Sequence, residues 1–203
     1  PDAGEAVFVA QPATTGAHGT FAIDTNGNWT YNLTNTDPRV QALAVGETLT
    51  ENFTVASADG TTHTVTVTIQ GTNDIPTIDG VHTGSVTEDG TATAVGQLNV
   101  NDVDTSDTHT WTVQGSNTGA YGSIAVDATG KWTYTLDNTA VQELKSGETR
   151  TETFTIQVSD GQGGTATQTV SVTINGTDDA AVITPATPGS DAGIVKEDTT
   201  LST

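Results

Sequence analysis

"HTVTVTIQGTND", residues 63–74, decides the fold class of this 203-residue chain. Val65, Val67 and Ile69 alternate with threonines. Alternation of apolar and polar side chains with a period of two predicts a strand with one buried face. The stretch "QTVSVTI", residues 168–174, repeats the pattern. Both strands lead through Gly-Thr into a pair of Asn or Asp residues, so each predicted strand ends where oxygen-bearing side chains begin.

The similarity continues on the N-terminal side of these strands. "GTFAIDTNGNWTYNLTNT" (19–36) matches "GSIAVDATGKWTYTLDNT" (122–139). "VQALAVGETLTENFTV" (40–55) matches "VQELKSGETRTETFTI" (141–156) once Asp37–Pro38 is treated as an insertion in the first repeat. A period of about 105 residues is the size of a domain. We therefore predict like domains in tandem.

The repeats are cut out of phase. "GSVTEDGTATAVGQLNVNDVD" (84–104) opens the second repeat, and the first repeat has no counterpart of it. "AGIVKEDTTLST" (192–203) resembles that opening. We expect residues 1–75 to form a first repeat lacking its opening strands, 76–181 a complete second repeat, and 182–203 the linker and opening strand of a third.

Every predicted element is a strand, and turn dipeptides such as Asn26–Gly27 and Asp160–Gly161 separate the strands. About seven short strands per repeat predict an all-β chain of tandem Ig-like or cadherin-like β-sandwich domains. The pairs Trp29/Tyr31 and Trp132/Tyr134 are expected in the core, because side chains two residues apart share one face of a strand. The alternative is a platform on which sugars stack.

The charge is strongly negative. The chain carries 25 Asp and Glu against 5 Lys and Arg, a net charge of -20. This composition argues against a nucleic-acid partner and against an anionic membrane surface. Crowded carboxylates attract cations, and calcium, which takes about 6–8 oxygen ligands, is the expected ion. The alternative is that the acids only keep the protein soluble.

Other site classes find little support. The chain has no cysteine, which excludes disulfides and thiolate metal sites. Its four histidines, at 18, 63, 82 and 109, share neither a repeat position nor a metal spacing, so we expect surface or loop roles for them. Neither a nucleophile motif with its base nor a phosphate loop is present, and no enzyme activity is predicted. No apolar run approaches the ~18 residues of a membrane span, so direct membrane insertion is not expected.

The stretch "GKWTYTLDNTAVQELKSGETRTETFTIQVSDGQGGTATQTVSVTINGTDD", residues 130–179, closely resembles the VCBS repeat of very large bacterial surface adhesins and related RTX-type secreted proteins. The resemblance covers the second repeat almost end to end and most of the first. It implies an extracellular protein of the bacterial cell surface, secreted by a type I system, with a role in adhesion or biofilm formation. The chain is also similar, more weakly, to cadherin repeats. In those repeats an acidic linker, a Glu near the base of one domain and an Asp-x-Asp loop of the next jointly hold calcium.

Strand directions in stacked sandwiches, with the cadherin resemblance as a guide, predict one interdomain calcium site. Its expected ligands come from the base of the first repeat, the linker and the top of the second repeat: Glu47, Asn73, Asp74, Asp102, Asp104, Asp107 and Asp160. The alternative is a solvated acidic rim without an ion.

A second calcium site is expected at the base of the second repeat. Its ligands would be Glu88, Asp89, Glu148, Asp178 and Asp179. It is expected to be incomplete, because its remaining ligands would belong to the body of a third domain.

Two functions remain open. The first is a structural extender module of a surface adhesin, in which calcium stiffens the junctions between neighbouring repeats. The second is a module that binds carbohydrate or protein through the loops in which the repeats differ, residues 34–41 and 114–122. A strand-exchange homo-oligomer is also expected, because the strand "GIVKED" in the C-terminal tail is of the type that the first repeat lacks.

Overall fold

The computed structural model describes residues 7–179 of the chain. These residues form thirteen strands and one four-residue α-helix, so the predicted all-β class is confirmed. None of their helices is long and apolar enough to cross a membrane. The strands fall into two groups, called here the first unit (residues 7–70) and the second unit (residues 77–175). The predicted third segment, 182–203, lies outside the described residues.

The first unit contains five strands in two antiparallel sheets. The strands are β1 (Gln11–Thr15), β2 (Gly19–Ile23), β3 (Trp29–Leu33), β4 (Thr48–Ala56) and β5 (Thr62–Gln70), and the short helix α1 (Pro38–Gln41) joins β3 to β4. One sheet has the order β1-β2-β3, and the other pairs β4 with β5.

The second unit contains eight strands in two four-stranded sheets. This is one strand more than the seven or so that the sequence predicts for each repeat. The strands are β6 (Thr77–Gly80), β7 (Thr83–Thr87), β8 (Thr93–Asn101), β9 (Thr110–Gln114), β10 (Gly122–Val126), β11 (Lys131–Leu136), β12 (Thr149–Ser159) and β13 (Thr165–Asn175). The sheet orders are β10-β11-β8-β6 and β7-β13-β12-β9. The additional strand is β6, only four residues long, and β7 pairs with β13 in parallel.

The core of the second unit lies between its two sheets. Leu98, Trp132 and Tyr134 from one sheet meet Ile156 and Val172 from the other, and all five are fully buried. Side chains of both sheets thus form one apolar layer, the arrangement of a β-sandwich. The alternation in the sequence of β13 predicts a strand with one buried face. The structure confirms this prediction, because Val172 and the residues two positions before and after it face the apolar layer.

The first unit has a smaller core and leaves an aromatic residue uncovered. Phe21 and Phe53 stack at 4.6 Å between ring centroids. Trp29 is 48% exposed, whereas its counterpart Trp132 is fully buried. The core prediction is therefore wrong for Trp29. In the second unit β8 lies against Trp132 so closely that a Cβ on Gly96 would come within 2.5 Å of the indole. The described part of the first unit contains no strand equivalent to β8.

Each unit also buries a glutamate that the sequence patterns did not single out. Glu51 accepts hydrogen bonds from the Tyr31 hydroxyl and the His18 backbone N–H, the latter at 2.9 Å. Glu152 accepts them from the Tyr134 hydroxyl at 2.7 Å and from the backbone N–H of the residue equivalent to His18. The carboxylate of Glu51 ties the loop before β2 to the core of the first unit, and that of Glu152 ties the loop before β10 to the core of the second, because a buried charge must be hydrogen-bonded.

The two tryptophans provide a matched test of this packing. Trp132→Ala is expected to lower the free energy of unfolding by about 3–5 kcal/mol, the cost of a cavity left by a fully buried aromatic ring. Trp29→Ala is expected to cost less than half as much, since about half of that side chain already contacts water. Urea unfolding of dilute protein, followed by far-UV circular dichroism, measures both. Equal losses would contradict the difference in burial.

Candidate metal centre at the linker

Two loops of the second unit bring acidic side chains together. The first loop follows β8 and contains Asp102, Asp104 and Asp107, and the second follows β12 and begins at Asp160. Asp102, Asp107 and Asp160 each offer a carboxylate oxygen, and these oxygens lie within 4.8 Å of one another. β8 and β12 belong to opposite sheets, so this acidic cluster bridges both layers of the sandwich at one end.

The linker between the units joins this cluster directly. The Asn73 side-chain amide donates a hydrogen bond to Asp160 Oδ2 at 2.9 Å. The Asp74 backbone N–H donates to Asp104 Oδ2 at 2.7 Å. The two residues that follow Gly-Thr at the end of β5 are therefore attached to both acidic loops.

The loop after β12 is built around Asp160. Its Oδ1 accepts hydrogen bonds from the backbone N–H groups of Gln162, Gly163 and Gly164, at 2.7, 3.0 and 3.0 Å. Gly163 adopts φ +112°, and a Cβ on Gly164 would lie 2.0 Å from Asp160 Oδ2. Glycine is required at both positions, once for the backbone conformation and once for close approach. The glycine-rich turn in the sequence thus holds the Asp160 carboxylate in place.

Three buried oxygens at this site have no hydrogen-bond partner. They are Asn73 Oδ1, Asp104 Oδ1 and Asp107 Oδ2. The Asp104 residue is only 1% exposed. Buried polar atoms are nearly always paired in folded proteins, and unpaired ones frequently mark an ion or water position. The three oxygens belong to the linker and to the loop after β8, and the Asn73 side chain already contacts Asp160.

The ionisation of these groups reflects their crowding. Burial, together with the neighbouring carboxylates of Asp104, Asp102 and Asp160, raises the pKa of Asp107 above its usual value. Burial also disfavours the charged form of Asp160, but hydrogen bonds from Asn73 and three backbone N–H groups outweigh it and lower its pKa. Without a cation, the surroundings therefore favour the charged form of Asp160 and disfavour the charged form of Asp107.

His109 is a member of this site that the sequence did not reveal. Its Nε2 lies 2.9 Å from Asp102 Oδ2. The Asp102 side chain is 3% exposed, and its other oxygen accepts a hydrogen bond from the Asp104 backbone N–H. His109 thus fixes the orientation of one carboxylate of the cluster. The sequence did not reveal it because His109 has neither a repeated position nor a metal-ligand spacing. Its contact with Asp102 forms only when the loop between them folds.

This donor set fits calcium. Carboxylate oxygens from three aspartates converge, and the unpaired oxygens of Asn73 and Asp104 lie in the same network. Oxygen ligands of mixed carboxylate and amide type in a loop-built site suit Ca²⁺, whereas Mg²⁺ prefers a rigid octahedron with retained waters. The nitrogen and sulfur ligands typical of zinc are missing from the converging group.

Glu47 has a local role in the structure. It lies in the turn before β4, where its Oε2 accepts a hydrogen bond from the Ala44 backbone N–H at 3.1 Å. Its backbone C=O accepts from the Gly71 N–H at the end of β5. It is not one of the three residues whose oxygens converge, so its membership of the metal site stays a prediction.

The residues predicted to form the second site are only partly brought together. Glu88 is fully buried and contacts the Gln142 side chain and the Thr177 backbone N–H. Asp89 raises the pKa of neighbouring Asp179, after the larger effect of burial. The Glu148 carboxylate instead accepts from the Lys145 backbone N–H at 3.1 Å, and Asp178 is exposed. This second set stays a prediction.

The divergent loop at residues 34–41 is ordered by its own side chains. Asp37 caps α1 by accepting from the Arg39 backbone N–H, and its Oδ2 lies 2.8 Å from His18 Nδ1. His18 lies in the loop between β1 and β2, in agreement with the predicted surface or loop role, but its side chain is buried and only 7% exposed. The insertion of Asp37 in the first repeat supplies the partner that lets the ring be buried.

Comparison with known proteins agrees with this architecture. Residues 73–176, about half of the chain, match the model of the bacterial cadherin-like domain family. The chain belongs to the bacterial cadherin-like domain family. It is also 30% identical over 183 residues to the calcium-binding lectin RapA2 of Rhizobium johnstonii, across 80% of this chain and 74% of that protein. The narrower VCBS and RTX assignments stay predictions.

Solved cadherin structures are similar to this chain in fold. The protocadherin gammaB7 EC3-6 structure matches with a TM-score of 0.53 and 15% identity, over 89% of this chain and 42% of that one. Mouse cadherin-23 EC22-24 matches with a TM-score of 0.51 and 16% identity, over 87% and 56%. The chain thus spans only about half or less of each cadherin structure, and at these identities the likeness shows the fold alone.

Asp107→Asn tests the cluster, because it removes one charge and keeps the shape of the side chain. In chelator, the variant is expected to unfold at a higher temperature than the wild type, since the surrounding carboxylates disfavour the Asp107 charge. In calcium, its affinity for the ion is expected to fall at least about tenfold, the loss typical even for outer-shell partners of metal ligands. Thermal unfolding and calorimetric titration measure the two effects.

Glu143→Gln is the matched control, because it removes one exposed charge from the same unit outside the cluster. It is expected to leave calcium affinity unchanged. A stabilisation by Asp107→Asn that is the same with calcium as with chelator would contradict the metal site.

Proposed function

We propose that this chain is an extender module of a bacterial cell-surface adhesin, in which calcium at the linker stiffens the connection between consecutive units. The observation that carries the proposal is the attachment of the linker to the acidic cluster. Asn73 contacts Asp160, Asp74 contacts Asp104, and buried oxygens of Asn73 and Asp104 are unpaired. Such a junction is suited to a cation shared between a linker and the unit that follows it.

The proposed calcium ligands come from three segments of the chain. The loop after β8 supplies Asp102 and Asp107, held by His109 and by the loop backbone. The glycine-rich loop after β12 supplies Asp160. The linker supplies Asn73. Calcium, when bound, offsets the mutual repulsion of these carboxylates and accepts oxygen ligands from all three segments at once. Ligands drawn from several segments reduce the freedom of the linker, because moving it would break coordination.

The cellular setting is part of the same proposal. Membership of the bacterial cadherin-like family and the similarity to a calcium-binding lectin support an extracellular location on the bacterial surface. The partners of this module would be neighbouring repeats of the same chain. Secretion by a type I system and a role in biofilm formation follow from the VCBS resemblance, and they belong to the proposal on that ground.

Glu47 and the second acidic set are included in the proposal as further calcium ligands. Glu47 belongs with the linker site. Glu88, Asp89, Glu148, Asp178 and Asp179 would serve the next junction along an array of repeats. Support for the second site comes from the buried Glu88 and from the contact between Asp89 and Asp179. Its remaining ligands would come from a following domain.

Small-angle X-ray scattering with calcium and with chelator tests the extender function. Calcium is expected to narrow the distribution of dimensions and to increase the maximum dimension, because the linker loses conformational freedom. Asp107→Asn is expected to need at least about tenfold more calcium for the same change in scattering, and Glu143→Gln is expected to respond like the wild type. Indistinguishable scattering of the wild type with calcium and with chelator would contradict the proposal.

A ligand-binding function is the second candidate, and the name of one relative favours it. RapA2, which is 30% identical, is called a calcium-binding lectin. Carbohydrate or protein recognition here would use the loops in which the two repeats differ, at residues 34–41 and 114–122. A glycan array read with calcium and with chelator separates the candidates. Calcium-dependent binding that is lost when these loops are exchanged between the units would favour the lectin function.

A further inference from the structure

The outer face of one sheet of the second unit carries no charged side chain. In the sheet β7-β13-β12-β9, side chains that point into the core alternate with side chains that point away from it. The second set is called here the hydroxyl face, and every member is threonine, serine, asparagine or glutamine. None of the 25 Asp and Glu or the 5 Lys and Arg of the chain belongs to it. Its members are alternate residues, counted from the first of each range, of 83–87, 110–114, 149–159 and 165–175.

The other surfaces of these strands and of the opposite sheet do contain charges. Arg150 and Glu152 are the two charged residues in the four strands, and both occupy positions that alternate with the hydroxyl face. Glu152 is buried, with its carboxylate bound to a core tyrosine. The outer face of the opposite sheet includes Asp79 and Lys131, both exposed. The lack of charge is therefore a property of one face and not of the strands in general.

The strands hold these side chains in a regular array. β12 and β13 pair along all eleven residues of each strand without a shift in register, so Thr155 lies opposite Thr169. β9 extends the array beside one end of this pair, where Gln114 lies opposite Thr155. β7 extends it beside the other end, where Thr83 lies opposite Ser171. A rise of about 3.3 Å per residue and a strand spacing of about 4.8 Å give the hydroxyl face an area of about 500 Å².

The polar groups of this face are available to a partner. Among residues 7–179, a threonine hydroxyl of the face accepts a side-chain hydrogen bond only at Thr112, from Gln114 at 3.1 Å. A hydroxyl group both donates and accepts hydrogen bonds, and so does a primary amide. A face built from these groups is therefore complementary to a copy of itself, whereas a face of carboxylates offers acceptors alone.

The first unit presents a narrower face of the same kind. Alternate residues of 48–56 and 62–70 are threonine, asparagine or glutamine, with Ala56 as the exception. β4 and β5 pair in register along all nine residues of each strand. Glu51, which is the acidic residue of these two strands, is buried on their other face. The two strands cover roughly 300 Å², so the same composition recurs on equivalent strands of both units over a smaller area.

We propose that two molecules of this chain associate side by side, with the hydroxyl face of one second unit packed against the hydroxyl face of the other. A net charge of -20 makes two copies repel each other wherever their acidic surfaces meet. The hydroxyl face lets them meet without bringing carboxylates together. Depletion of charged residues is also the compositional mark of the core of a protein interface. Two sheets pack face to face in this way inside every β-sandwich.

The area of the face fits a weak dimer. Two faces of about 500 Å² bury about 1,000 Å² in total, which is the lower end of specific interfaces. Each molecule contributes the same patch, so the contact is isologous and closes as a two-fold dimer. A second copy supplies donors and acceptors at the same regular spacing as the face that it covers. The partner that this surface fits is therefore another molecule of the chain.

Sedimentation equilibrium of the full chain, across a wide range of protein concentrations, tests the proposal. The wild type is expected to form a reversible dimer, both with calcium and with chelator. Its association constant is expected to rise several-fold from low salt to about 0.5 M salt, because salt screens the repulsion between the two acidic chains. An interface held by ion pairs would weaken over the same range.

Thr153→Glu and Thr153→Lys place a charge of either sign near the middle of the hydroxyl face, at an exposed threonine. Each is expected to lower the association constant at least about tenfold, because a charge buried in the contact lacks a partner. Thr153→Lys is the sharper of the two. It reduces the net negative charge of the chain, and it would strengthen an association limited by overall charge alone.

Thr135→Glu and Thr135→Lys are the matched controls, because Thr135 is an exposed threonine on the outer face of the opposite sheet. At about 0.5 M salt, where charge repulsion is screened, both are expected to associate like the wild type. Far-UV circular dichroism checks that all four variants keep the strand content of the wild type.

A wild type that stays monomeric at every concentration and salt would overturn the proposal, even if this face then bound a polysaccharide or another protein. Association that both Thr153 variants leave unchanged would also overturn it. The outcome is separate from that of the extender function. Dimers that form in chelator do not require calcium at the linker, and a linker that calcium stiffens does not require dimers.

Discussion

Repulsion among carboxylates in a nearly dry site is the constraint on which the centre of this chain depends. Asp102, Asp107 and Asp160 place oxygens within 4.8 Å of one another, in a protein with a net charge of -20. The chain partly compensates with backbone N–H groups at Asp160 and with His109 at Asp102. Nothing in the described residues compensates Asp107 to the same degree, and its pKa is raised. A cation that accepts oxygen ligands relieves this repulsion most simply, and the linker residue Asn73, which contacts Asp160, has a buried side-chain oxygen without a hydrogen-bond partner.

The two units of the chain act as controls for each other. The same sequence motif buries Trp132 in the second unit and leaves Trp29 half exposed in the first. The side chains are identical, so the difference comes from the strands that lie over them. Likewise, Gln142 holds Glu88, while its counterpart Gln41 lines an open cavity. Comparing the two units therefore shows which features follow from the local sequence, such as the strand itself, and which depend on neighbouring strands, such as the burial of a side chain.

Much of the fold followed from periodicity, and much of the site did not. Alternation in β5 and β13, together with the turn glycines, was sufficient to predict strands and an all-β class, because strand periodicity is a local property. The acidic loops were predicted from strand directions with the cadherin resemblance as a guide, and Asp102 and Asp160 directly follow strands in the structure. The burial of Trp29 was predicted wrongly, because exposure depends on strands distant in sequence. His109 and the Glu51–Tyr31 pair were missed, since each joins residues whose proximity only the folded chain creates.

A crystal structure grown in calcium tests the central claim most directly. The account predicts one ion bound by carboxylate oxygens of Asp102, Asp107 and Asp160 and by Asn73 Oδ1, at the distances of about 2.3–2.6 Å typical of calcium. It also predicts that the side chain of Asn73 stays in contact with the loop after β12. A structure in which calcium leaves this cluster empty, or binds the aspartates while the linker residues point into solvent, would contradict it.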